Sequence, residues 1–502
     1  PRRRAKADGP GELRTYRVAV AATGEYSEFH DPANPPGKLM PDKAVVLAAI
    51  VTMMNRITGI YERELSVRME IIEREEEVIF TNRVADPYEG VAGLSDVYTN
   101  TTILNTLIGA ETYDIGHRVS EGIGGVALLG SVCGANKGGG ITGLTPPDGD
   151  PFWVDFVAHE MGHQFGGNHT FNSELGSCSG NGNASTAYEP GSGSTIQAYA
   201  GICNADNLQP NSDDYFHGTS YDEMTEFTRF RSGNDCAVIT PTGNTPPVAV
   251  AGNSGLTIPK ETPFELTGSG SDADGDALTY QWEQFDLGPF GPANAPVGTA
   301  PRFRSFQPTA EPTRVFPRLS DLLNNRTAIG ELLPTEAGTL TFRFNVRDNH
   351  PVAGEIANDL TFVDVADAGP FRITGDIADA APGAMLDLTW DVAGTDAAPV
   401  NCTAVDVALS EDGGLTYATP LAAGLPNTGA ATVTLPSKTI DAARLKVKCS
   451  NNIFFDINDR NFSIGAAKSK EGRGLLLGGG LPVTLLLILL SLGLMRKPFK
   501  TV

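Results

Sequence analysis

Residues 156–169 read Phe-Val-Ala-His-Glu-Met-Gly-His-Gln-Phe-Gly-Gly-Asn-His, and this stretch limits what the chain can become more than any other. His159 and His163 are four positions apart, so a helix places both on one face. Both imidazoles then reach one metal ion, with Glu160 beside them. A straight helix cannot bring His169 to the same ion. Gly166 supplies the break, because glycine accepts the left-handed conformation that ends a helix. Three neutral imidazoles suit zinc and leave one coordination position open for water, as a catalytic site requires and a structural site does not.

The spacing H-E-x-x-H-x-x-G-x-x-H is the metzincin signature. A lone HExxH also occurs on exposed, charged helix faces; the glycine and third histidine at these offsets argue against that bland origin. Over roughly its first half the chain resembles the metzincin zinc endopeptidases, most closely the reprolysin-like branch of secreted bacterial proteins. The resemblance implies zinc held by His159, His163 and His169, with Glu160 as general base. It also implies a twisted sheet backed by two long helices. It places a methionine-containing turn at Ile196-Gln197-Ala198-Tyr199, where Gln197 occupies the methionine position. A buried glutamine amide must find hydrogen bonds. Tyr199 has two roles open to it: a fifth ligand or oxyanion partner, or a packing tyrosine with a satisfied hydroxyl.

Taken in order, Tyr16 to Thr23 reads as a first strand with Tyr16, Val18 and Val20 on one face. Pro41 to Tyr61 reads as a long helix with Asp42 near its start. Val67, Met69 and Ile71 share a strand face, Val78 to Thr81 gives another strand, and Thr101 to Ala110 reads as a helix capped by Asn100. Strands alternating with helices predict a largely parallel sheet. Gly125 to Cys133 is short and apolar: the resemblance makes it the edge strand beside the substrate, and composition alone allows a buried core strand equally. Lys137 to Leu144 is glycine-rich and reads as a flexible loop. Asn172 to Ser194 is a Gly/Ser/Asn-rich loop. His217 lies on the approach to a final helix carrying Met224, which comes too late to be the turn methionine.

From Thr240 to Pro247 the composition is that of a linker. Beyond it, Leu278, Tyr280 and Trp282 alternate with polar residues as in a half-buried strand. The preceding Ser271 to Asp276 run resembles PKD-like and immunoglobulin-like modules; it reads first as a tight Asp-Gly turn, and clustered carboxylates would also suit calcium. From about Asp367 a second set of alternating strands begins, with Leu386, Leu388 and Trp390 on one face, and Val405, Val407 and Leu409 on another. The expected architecture is multidomain: an α/β (α+β) catalytic domain at 1–239, a PKD/Ig-like β-sandwich at 245–366, a second β-sandwich at 367–466, and a transmembrane or sorting segment at 474–495 with a basic tail to 502. Residues 474–495 lack charge and are long enough to span a bilayer. The Gly478-Gly479-Gly480 run before the leucine-rich core resembles a bacterial C-terminal sorting signal, the alternative being a permanent anchor.

Composition narrows the function classes. A net charge of -23 over 502 residues argues against a basic phosphate-binding surface, so nucleic acid is not an expected partner. The six cysteines form no CxxC pair, which argues against a thiolate zinc site and for disulfides outside the cytoplasm. Cys178 and Cys203 bracket the turn loop, Cys133 and Cys236 resemble a pair seen in reprolysins, and Cys402 and Cys449 are the two left in the last module; the first four still permit three pairings. The basic run at Arg2 to Lys6 suits the end of a removed propeptide or a solvated terminus. The expected function is a zinc-dependent endopeptidase acting on extracellular protein or peptide substrates, secreted or held at a bacterial surface, with membrane contact through the C-terminal segment. The competing expectation is a surface adhesion or glycan-binding protein whose protease domain is inactive.

Overall fold

The structure, a computed structural model, describes residues 11–32, 40–88, 94–122, 124–252 and 254–465. The expected segment at 474–495 and the basic run at 2–6 lie outside the described residues. The first half is built on a six-stranded sheet, five strands in the order β2-β1-β3-β5-β4 and a sixth, β6 (Val238–Pro241), pairing β1. β1 (Glu12–Ala22) is central and runs parallel to β2 (Val67–Ile71) and to β3 (Ile115–Ser120); β3 runs parallel to β5 (Gly140–Gly143), and β4 (Gly124–Ala127) closes the order antiparallel to β5. Both faces of β1 are buried. Tyr16, Val18 and Val20 pack with α2 (Lys43–Leu65) and with Val157, Met161 and Phe165, whereas Ala19 and Ala21 face Leu104 and Ile108 from the side of α3 (Leu94–Leu107). The small residues on the second face let α3 approach closely.

Asp42 caps α2 by accepting the Ala44 amide at 3.0 Å, as its position predicts. Three local expectations fail for identifiable reasons. Val78 to Thr81 is no strand: a short turn, Glu75–Val78, precedes a single bridge between Ile79 and Ala22. The Glu75 carboxylate takes the Val20 amide at 3.0 Å, a donor that a pairing strand would have used. Asn100 is not a cap: the helix begins at Leu94, and Asn100 lies buried within it, donating to Gly138 O and accepting from Tyr88. Lys137 to Leu144 is not a flexible loop, since it contains β5. Its glycines serve close packing: a side chain at Gly138 would lie 2.8 Å from Thr101 Cα, and one at Gly140 would collide with His117 and Gln164.

The segment expected to be a linker also departs from expectation. Val238–Pro241 forms β6, antiparallel to the start of β1, so the sheet extends beyond residue 239. Of the three pairings open to the first four cysteines, the structure has Cys133–Cys236 with Cys178–Cys203, and Cys402–Cys449 forms in the last module.

The remaining described residues are mostly β-structure, with one short helix at Leu319–Leu323. Thr279–Gln284, Gly338–Arg347, Ile356–Ala366 and Leu256–Pro259 make a four-stranded sheet; later strands form a three-stranded and a five-stranded sheet. One continuous apolar core runs from Ala251 to Ile464, with Phe371 on Phe454 joining the two β-regions. Thr279–Gln284 is not half-buried. Its polar face, Gln281 and Glu283, is buried against the first half of the chain. There Arg347 pairs with Glu64 of α2 at 2.9 Å, Arg343 with Asp222 at 2.6 Å, and Arg229 with Glu355 at 2.7 Å. Burial alone would raise the Glu283 carboxyl, but His217, Arg343 and Arg347 around it hold it low. Gly218 N and Asn345 also donate to it.

Arg347 and Glu64 are 3% and 1% exposed, so removing Glu64 leaves the Arg347 guanidinium buried with only Gln281 Oε1 and the charge of Glu283 to answer it. Glu64→Ala is expected to cost about 3–5 kcal/mol. Because the pair joins α2 to the β-region, both should melt in one transition shifted to lower temperature. Two well-separated transitions in scanning calorimetry of the parent, or an unshifted variant, would contradict this.

Candidate metal centre

The helix over residues 150–164 carries the first two histidines. Its middle turns, Trp153–Ala158, are π-helical and pass directly into His159–Gln164; such wide turns occur at functional sites. The Tyr61 hydroxyl donates to Ala158 O at 2.8 Å and ties this junction to α2. The helix ends as the sequence requires. Gly166 has φ +95°, its amide reaches His163 O at 2.8 Å, and the Gly167 amide reaches Gly162 O at 2.9 Å. The chain turns back and delivers His169.

The three imidazoles converge through their Nε2 atoms, at 3.2 Å (His159 to His169), 3.1 Å (His159 to His163) and 3.0 Å (His163 to His169). Each Nδ1 faces a backbone carbonyl at 2.6 Å: Ile196 O for His159, Gly167 O for His163 and Asn181 O for His169. A carbonyl can only accept, so each Nδ1 carries the proton and each Nε2 presents a lone pair. Three lone pairs thus face one another with no proton between them. That arrangement is repulsive unless a cation sits among them. The triangle fits an ion about 2.0–2.1 Å from each nitrogen, the zinc–imidazole distance. Burial, with the neighbouring histidines, keeps the imidazoles neutral: His163 is pushed down to about 3 and His159 well below its usual value. Neutral rings with fixed tautomers are what a metal ligand needs.

Glu160 lies beside the triad in a cleft of about 550 Å³. Its Oε2 is buried without a hydrogen-bond partner, and burial pushes the carboxyl up to about 8. A side chain at Gly125 would collide with this carboxylate, so glycine on β4 makes room for it. Gly125, Val126 and Ala127 line the cleft, and β4 stands at the end of the sheet order. Of the two origins open for Gly125 to Cys133, the edge strand is the one found, and it stops at Ala127. The opposite wall is Asn181, Gly182, Asn183 and Ala184. Tyr199 also lines the cleft, its ring 4.6 Å from that of His169 and 5.5 Å from that of His159. Burial and the nearby Glu160 raise its phenol, which keeps it protonated.

Gln197 lies under the triad, wholly buried. Its Nε2 is 3.2 Å from His163 Nδ1, but that nitrogen already donates to Gly167 O, so two donors face each other. The amide keeps a long contact to Gly167 O at 3.4 Å, and Oε1 has no partner. The expectation that the buried amide would be satisfied locally is therefore not met. Met224 shares this space: its sulfur would lie 3.1 Å from a side chain at Gly167. His217 is remote in role, capping the helix Gly218–Phe230 through Thr219 N.

Two supporting carboxylates went unnoticed in the sequence. Glu189, 1% exposed, accepts from Thr170, next to His169, and from Ser194 N and Thr195 of the turn segment. Glu223 holds Asn168 at both its amide and its side chain, at 2.9 and 3.0 Å. Neither stands at a motif offset, and only the fold brings them there. Asp272, Asp274 and Asp276 form an acidic cluster elsewhere, with ligand atoms within 4.8 Å of one another. Asp272 Oδ1 accepts the amides of Asp274, Gly275 and Asp276, so a tight turn accounts for the run by itself.

Residues 12–226 match the profile of the Metallo-peptidase family M12B, Reprolysin-like. That segment is a reprolysin-like metallopeptidase domain, and its histidine triad fits the zinc that this family uses. No curated protein matches the chain. Among solved structures the chain is similar to the chicken CNTN1 FN1-FN3 domains, at 11% identity over 46% of this chain and 70% of that one, with a TM-score of 0.18. It is also similar to Sidekick-1 immunoglobulin domains 1-5, at 13% identity over 44% and 38%, TM-score 0.14. The three N-terminal domains of the bacteriophage RB49 outer capsid protein Hoc match at 12% identity over 44% and 71%, TM-score 0.15. Scores this low carry no argument about fold or function.

Gln197→Met should remove the unsatisfied oxygen at nearly constant volume. A gain of about 1–2 kcal/mol in unfolding free energy is expected, from the cost of an unpaired buried polar atom. Zinc content by atomic absorption should stay the same. Destabilisation or loss of zinc would show that the amide has a polar task beneath the metal.

Proposed function

We propose that the chain is a zinc-dependent endopeptidase that cleaves extracellular protein substrates. One observation carries this: three proton-free Nε2 atoms face one point, and that point opens onto a cleft shared with a partnerless carboxylate. A structural zinc site would be closed by a fourth protein ligand.

His159, His163 and His169 would hold the metal. Zinc there would polarise a scissile carbonyl and lower the pKa of water toward about 7. Glu160, through Oε2, takes the proton of the attacking water and passes it to the leaving amine. Its raised carboxyl in the metal-free chain reflects burial; a nearby cation favours the ionised, proton-accepting form. The Tyr199 phenol, protonated and lining the same cleft, would stabilise negative charge developing on the carbonyl oxygen. An extended peptide would add to the exposed edge of β4 by backbone hydrogen bonds, with Leu129 and Ala184 meeting its side chains. Three disulfides support a location outside the reducing cytoplasm.

Glu160→Ala should leave zinc bound and lower cleavage of casein by about 10²–10⁴-fold, the usual contribution of a general base. Phenanthroline should abolish parent activity, and added zinc should restore it. A zinc-loaded parent that cleaves nothing would contradict the proposal and favour a binding protein with a retired catalytic domain. Activity of Glu160→Ala near that of the parent would remove Glu160 from the role of base.

A further inference from the structure

The loop at residues 288–300 leaves the first β-region and returns to it. Its neck is narrow: a side chain at Gly288 would meet the Ala300 backbone, and Thr299 donates to Leu287 O at 2.7 Å. The loop crosses onto the catalytic half. Gly291 N donates to Asn172 O at 3.2 Å, and Ala293 N to the buried Asp206 carboxylate at 3.0 Å. Ala293 itself is buried against Gly191. Near the tip, Phe290 lies on Gly182: a Cβ built there would stand 2.6 Å from Phe290 Cε1 and 2.8 Å from Cζ, with Phe171 at 3.4 Å. The Phe171 ring in turn packs tilted against His169 and Tyr199, at 5.2 and 4.7 Å between ring centres.

Gly182 is no ordinary wall residue. Its neighbour Asn181 provides the carbonyl that accepts the His169 Nδ1 proton, and so fixes the orientation of the third ligand. The segment 180–184 is rich in glycine and asparagine, and no regular element holds it. On the protein side it is secured by Asn181 N to Cys178 O and by Asn183 to Asn168. On the outer side Phe290 presses against it.

We infer that Phe290 is a positioning residue for the metal site: the loop of the first β-region braces the wall segment at Gly182 and thereby holds the carbonyl that orients His169. The inference rests on the metal site proposed above and extends it to residues outside the catalytic half. The β-region then completes the metal centre as well as covering the domain beneath it.

The test is zinc affinity of the full-length chain, measured by competition with a chromophoric chelator, alongside melting temperature. Phe290→Ala should weaken zinc binding by about tenfold, the lower end of what loss of a ligand-orienting contact costs. Phe290→Leu should restore most of it. Val297→Ala, at an exposed position on the same loop, should change nothing. Gly182→Ala approaches the contact from the other side. Gly182 does not have positive φ, so the added methyl is resisted by the phenyl ring and not by the backbone. It should weaken zinc binding, and adding Phe290→Ala to it should restore affinity, because the methyl then fills the space the ring left. That sign reversal in the double-mutant cycle is the signature of a direct contact.

Unchanged zinc affinity in both single variants, with or without a lower melting temperature, would overturn the inference and reduce the loop to packing. If Phe290→Ala does not fold, Phe290→Leu and Gly182→Ala decide the question. A parent that binds zinc but cleaves no peptide would contradict the endopeptidase proposal while these affinities still test the brace. A parent that takes up no zinc would overturn both.

Discussion

Three lone pairs pointing at one another make an arrangement that a folded chain does not hold without help. The structure supplies the help from the backbone: Ile196, Gly167 and Asn181 each offer a carbonyl to one Nδ1. These three carbonyls belong to three different segments: the turn beneath the site, the loop after the helix, and the wall of the cleft. Much of the architecture around the site serves to hold those segments still. Gly166 gives the loop its turn, Glu189 ties the third ligand's segment to the turn segment, Glu223 grips Asn168, and Cys178–Cys203 pins the wall. A metal bound here is oriented by groups it never touches.

The β-region is part of the same device. A strand whose polar face would be exposed in an isolated sandwich here carries Glu283 into a buried network with Arg343, Arg347 and Asn345. Buried ion pairs contribute little net stability compared with an apolar replacement, yet they are strongly destabilising when broken. Their effect at this junction is to set one relative placement of the two halves. The same placement brings the 288–300 loop over the cleft wall. A spacer would have no need of either feature.

The histidine triad was legible because its spacing is a geometric demand: residues four apart share a helix face, and a glycine must end that helix before His169 can return. The central strand and the capped α2 were legible from periodicity and from Asp42. What was hidden depended on partners distant in sequence. Val78 to Thr81 looks like a strand until Glu75 takes the Val20 amide. The glycines at 138–140 look flexible until α3 and Gln164 are packed against them. Tyr280 and Trp282 alternate correctly, but the sequence does not say that the polar face between them will be buried by another domain. Gln197 packs against Gly162 and His163, and its partnerless Oε1 follows from that packing, which the sequence alone does not display.

The central claim is an open zinc site made by three imidazoles. X-ray absorption at the zinc edge on the metal-loaded, full-length chain tests it most directly. The account predicts three imidazole nitrogens and one oxygen at about 2.0–2.1 Å from the ion. Fewer than three imidazoles, or a shell closed by a fourth protein ligand, would contradict it.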